Sequence, residues 1–156
     1  MKYFVIIISL IIAIGVVAGF FIVGSPQEER LRKFDERRAQ DLQTIQQEII
    51  NYWTSKEQLP NTLADLRDDI RGFVPPKDPE TGVDYSYEVK DKQNLVVTLC
   101  ANFARPSPNI SVPRPAYPEP YYQQSWEHKE GYVCFERKID PEIYKPQKPI
   151  RGAIDF

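Results

Sequence analysis

The chain has 156 residues, 20 basic against 22 acidic side chains and a formal net charge of −2, with the two signs interspersed, so it offers no basic surface for nucleic acid. One histidine and two cysteines are too few for the usual zinc sites, and neither a phosphate-cradling glycine loop nor a Gly-x-Ser-x-Gly elbow is present. The expectation is a protein without catalysis and without a cofactor.

Residues 3–23 form an apolar run without a single charge. At 1.5 Å per residue such a helix covers roughly 30 Å, the hydrocarbon thickness of a bilayer, and satisfies its own backbone throughout. The sequence therefore predicts a single-pass transmembrane anchor over 1–25, with the lipid bilayer as its first partner. The alternative is a signal peptide cut after Val16-x-Ala18, which would leave the apolar 19–23 at a mature terminus. Gly15 and Gly19 share one helical face in the small-xxx-small spacing that lets membrane helices approach closely, although glycine is common in such helices without packing meaning.

Ser25-Pro26 with Glu28 and Glu29 opens a second helix, with a cap, a proline at the first position and acids in the first turn. Leu31, Phe34, Arg38, Leu42, Ile45, Ile49 and Trp53 follow at helical steps, an apolar stripe interrupted by Arg38. The thin half, 26–41, is expected to be an exposed stalk, and the wider stripe of 42–53, with Ile50 and Tyr52, to belong to the core. Leu59-Pro60 ends the helix. Asn61 or Thr62 then caps a short helix with Leu63, Leu66 and Ile70 on one face and Gly72 at its end. Asp78-Pro79-Glu80-Thr81-Gly82 reads as a turn.

Tyr85, Tyr87 and Val89 alternate with polar residues, and after a polar reversal Leu95, Val97, Leu99, Ala101 and Phe103 do the same, which predicts a hairpin. Six of the 14 prolines lie between 106 and 120, so 104–130 is expected to be an irregular connection. It leads to a strand over 131–137 with Val133 and Phe135 on one face and Cys134 on the other. If this strand lies antiparallel to 95–103, Cys100 and Cys134 fall on one side of the sheet and form a disulfide, with Cα atoms roughly 4.4–6.8 Å apart. The folded domain is thus placed over 42–156.

Sidedness is contested within the sequence. Arg30, Arg32, Lys33, Arg37 and Arg38 follow the anchor, which by the positive-inside rule puts the domain in the cytoplasm. The cysteine pair puts it outside, and the expectation adopted is a cell-membrane protein with its C-terminal domain extracytoplasmic.

The amphipathic helix after the anchor, the Leu59-Pro60 break, Leu63-x-x-Leu66, Asp78-Pro79-x-Thr81-Gly82 and Tyr85-x-Tyr87 together resemble the type IV pilin and type II secretion pseudopilin class, over roughly residues 3–103. The resemblance implies an α+β fold, a long N-terminal helix packed on a small antiparallel sheet, and a structural or protein-interaction role in the cell envelope. The sequence departs from the class in having no prepilin peptidase motif and no glutamate early in the apolar run. In this respect it is more similar to small single-pass bacterial membrane proteins carrying such a domain on an uncleaved anchor.

Three further features carry chemistry. Asp78, Glu80 and Asp84 around Gly82 are weak calcium candidates, against the plainer reading of a solvated turn. Their function class would be an envelope enzyme or a calcium-dependent receptor, the alternative to an interaction module. His128, the lone histidine, reads as an exposed surface residue. Tyr117, Tyr121, Tyr122 and Trp126, set among prolines, form a possible interaction surface for another membrane or envelope protein, or else fold over the sheet.

Overall fold

In the computed structural model, the residues described are 2–23, 26–108 and 125–145. They form α1 (Lys2–Val23), α2 (Pro26–Lys56), a 3-10 turn (Leu63–Leu66), β1 (Ser86–Asp91), β2 (Val96–Phe103) and β3 (Gly131–Lys138). The chain divides into two compact units, Met1–Lys33 and Phe34–Phe156.

In the first unit, every described apolar side chain between positions 3 and 14 of α1 is exposed. Gly15 has open space where a Cβ would stand, and the surroundings of Gly19 lie outside the described residues. Among the described residues no helix is long and apolar enough to cross a membrane, and the described side chains of α1 end at residue 15.

The second unit is built on an antiparallel sheet in the order β1-β2-β3. Period-2 alternation turns Val97, Leu99, Ala101 and Phe103 of β2 and Phe135 of β3 to one face, where they join Leu42, Ile45, Ile49 and Trp53 of α2 in a single core. The fold is α+β, a long helix against a small antiparallel sheet. The stripe of 42–53 is core as its spacing requires, with Leu42 and Ile45 fully enclosed. α2 stops at Lys56; Glu57 takes a left-handed φ of 55° and its amide still reaches the Trp53 carbonyl at 2.7 Å, a helix end of the left-handed type.

Cys100 and Cys134 are register partners in β2 and β3 and are disulfide-bonded. Their Cα atoms are 4.0 Å apart, closer than the expected window and in keeping with the non-hydrogen-bonded type of antiparallel pair, in which facing Cα atoms approach most closely. Cys134 is exposed whereas Phe135 is buried, so the bridge lies on the face away from the core.

Two expectations are corrected. The folded unit begins at Phe34, and Asp35, Arg38 and Asp41 are buried; part of 26–41 is therefore embedded domain instead of exposed stalk, because charged partners enclose a segment with few apolar side chains. The short helix is only the four-residue 3-10 turn, with the Asp65 carboxylate accepting from the amides of Asn61 and Thr62 at 2.8 and 3.0 Å. Ile70 is 99 % exposed. The Asp68 carboxylate captures the amides of Ile70 and Arg71, and the chain folds back through an Asp68–Phe73 bridge with Gly72 at φ 67°. Phe73, not Ile70, packs against the core.

Candidate functional site

Two buried arginines hold the two ends of the proline-rich excursion. Arg38, 3 % exposed, donates to three carboxylates. Nη1 reaches Asp35 at 2.9 Å, Nε reaches Asp78 at 2.6 Å and Nη2 reaches Glu80 at 2.6 Å. Asp35 is shared, for its oxygens also accept the amides of Ala104 and Arg105 at 2.9 Å each, where the chain leaves β2. Asp35 and Asp41 lie three residues either side of Arg38 and so share its helical face. Asp41 in turn accepts the Tyr85 hydroxyl at 2.9 Å and pairs with Arg37 at 3.0 Å.

The local sequence organises this cluster. The Asp78 Oδ1 accepts the amides of Glu80 and Thr81, the Gly82 amide donates to the Asp78 carbonyl at 2.8 Å, and Gly82 takes φ 71°, which only glycine adopts without strain. The turn thereby presents Asp78 and Glu80 together. Burial works against the Arg38 charge, but hydrogen bonds to Asp78, Glu80 and Asp35 outweigh it and hold the guanidinium above its ordinary value. Burial likewise opposes ionisation of Asp78, yet Arg38 and the turn amides bring its carboxyl down to about 2. Tyr85 is raised by burial and then by its bond to Asp41.

The three calcium candidates are therefore not gathered at one point. Asp78 and Glu80 face the Arg38 guanidinium, and Asp84 pairs with Lys77 at 3.1 Å in an exposed bridge. Among the described residues no group of three or more His, Cys, Asp or Glu side chains is placed to hold a metal ion.

At the other end, Arg137 shares the inward face of β3 with Phe135 and is 6 % exposed. It contacts no carboxylate among the described residues. Its Nε donates to Gln46 Oε1 at 3.2 Å, Nη1 to the Glu136 carbonyl at 3.0 Å and Nη2 to the Ser125 carbonyl at 2.9 Å. The guanidinium carbon lies 4.1 Å from the Trp126 ring centroid and 5.2 Å from that of Phe135, within cation–π range. Burial alone pushes this guanidinium below its ordinary value.

Trp126 is half-buried against Phe135, ring centroids 4.8 Å apart, so it folds onto the domain; Tyr117, Tyr121 and Tyr122 lie outside the described residues. His128 is also corrected. It is half-buried, stacked on Phe103 at 3.6 Å, and Nδ1 donates to the Trp126 carbonyl at 2.9 Å, while its backbone and the Ser107 backbone and hydroxyl bond across the base of the excursion. Sequence reasoning missed Asp35, Asp41 and Arg137 as site residues. The i±3 spacing about Arg38 and the alternation Val133, Phe135, Arg137 were the available signals.

No protein-family model, no curated protein and no solved structure matches the chain.

Proposed function

We propose that the chain is a membrane-anchored structural or protein-interaction module of the cell envelope, pilin- or pseudopilin-like in organisation, with its α+β domain outside the cytoplasm and no chemistry of its own. The observation that carries this reading is the combination of an apolar helix, exposed along its described length, with a second unit closed by the Cys100–Cys134 bridge. An apolar surface around a helix is stable when lipid surrounds it, and a structural disulfide belongs to an oxidising compartment. Of the motifs that resemble pseudopilins, Leu59-Pro60 follows the end of α2 at Lys56, and the turn around Gly82 presents Asp78 to Arg38. The calcium-dependent alternative gains nothing from Asp78 and Glu80, which already face a cation.

The test is thiol accessibility in intact cells. A membrane-impermeant maleimide is expected to label the chain only after reduction with an impermeant phosphine. Labelling confined to lysed cells would place the domain in the cytoplasm and overturn the reading.

A further inference from the structure

Buried cations in folded proteins are ordinarily paired, because desolvation of an isolated charge costs more than neutral hydrogen bonds return. Arg38 obeys this with three carboxylates, whereas Arg137, enclosed almost as fully, meets only neutral acceptors and two rings among the described residues. A guanidinium has five N–H donors. Among the described residues three are used, one on each nitrogen, which leaves one N–H on Nη1 and one on Nη2 without a described acceptor. The planar guanidinium presents its N–H groups in pairs that match the two oxygens of a carboxylate. The acceptors of the three engaged N–H groups belong to residues near solvent, for Ser125 and Glu136 are exposed and Gln46 is half-buried.

We propose that Arg137 is a carboxylate-recognition point, taking an acidic side chain or C-terminal carboxylate of a partner protein at the margin between α2, β3 and the returning foot of the excursion. One guanidinium balances one carboxylate charge. A phosphate, with more than one negative charge near neutral pH, would be left over-charged by a single arginine. Trp126 forms one wall of the site, so occupancy is reported by a tryptophan that touches the guanidinium. The proposal rests on the interaction-module reading only for taking the carboxylate from a protein, and the topology assay and the binding test below fail independently of each other.

The experiment titrates the full-length chain in non-ionic detergent with sodium acetate at constant ionic strength, balanced with chloride. It follows tryptophan emission and, in arginine-labelled protein, the side-chain 15Nε–Hε resonances. A saturable response with a midpoint of about 10–100 mM, the range for a single charge-assisted contact, is expected in the native chain. Arg137→Gln should abolish it, and Arg137→Lys should weaken it at least about fivefold, since an ammonium lacks the planar fork. An arginine resonance that does not move, a drift without saturation, or a response retained in Arg137→Gln would overturn the proposal. A response to phosphate but not to acetate would overturn the carboxylate assignment. If Arg137→Gln does not fold, the Nε–Hε titration of the native chain decides alone.

Discussion

Arg38 and Arg137 are enclosed to nearly the same degree, and each fixes one end of the 104–130 excursion, but by opposite means. At the departing end, charge is over-compensated: Asp35, Asp78 and Glu80 surround one guanidinium, and Asp35 passes that anchoring on to the amides of Ala104 and Arg105. At the returning end, carbonyls and aromatic faces hold a cation with no counter-charge among the described residues. The difference teaches that burial by itself says little about what a charge does. The first arrangement is self-contained: contact with its carboxylates holds Arg38 above its ordinary value, and contact with Arg38 holds Asp78 below its own. The second is electrostatically incomplete, and its shift has desolvation as the one cause.

The comparison breaks most visibly when Arg38 is removed. Arg38→Ala strands three carboxylates, and the loss of one partner from a buried ion-pair network is expected to cost roughly 3–5 kcal/mol. Urea unfolding of the full-length chain, followed by tryptophan emission, measures it; a loss below about 1 kcal/mol would show that the carboxylates rehydrate freely.

Acid sharpens the contrast. The Asp78 carboxyl lies near 2 in the folded state against about 3.9 in an unfolded chain. The unfolded state therefore takes up its proton first as pH falls. The stability this group contributes is complete above about pH 4 and is lost as pH drops towards 2, on the order of 2 kcal/mol. Asp78→Asn should remove that part of the slope, and an unchanged acid profile in the variant would dissociate Asp78 from Arg38.

Arg137→Met should behave quite differently from Arg38→Ala. It gives up three hydrogen bonds to neutral acceptors and the ring contacts, but relieves an uncompensated buried charge, so a net change of about 1 kcal/mol or less is expected. A cost equal to that of Arg38→Ala would mean that the returning end is as tightly determined as the departing one. Smallest of all, Ile70→Ser, at a side chain that touches neither site, should stay within about 0.5 kcal/mol in the same unfolding measurement.

Where one physical rule dominates, the sequence alone was sufficient. The period of 3.6 in 42–53 and the period of 2 in 95–103 and 131–137 identified the core faces, and the parity that Cys100 and Cys134 share, opposite to that of the apolar residues beside them, identified their bridge. Glycine at position 82 likewise fixed a turn, because backbone sterics act locally, whereas α2 stops at Lys56, just ahead of the Leu59-Pro60 pair expected to end it. What only the tertiary structure decided is where charges go. Asp35 is 43 residues from Asp78 in sequence, and nothing in the composition of either segment says that Arg38 will stand between them. Arg38 looked like a flaw in an apolar stripe and is the hub of the stripe's polar end. Ile70 failed in the opposite direction: its spacing was helical, but the Asp68 carboxylate captured the amides of Ile70 and Arg71 and turned the chain away. Apolar burial follows from periodicity, whereas the burial of charge depends on partners that distant segments supply, and those are brought together only by the fold.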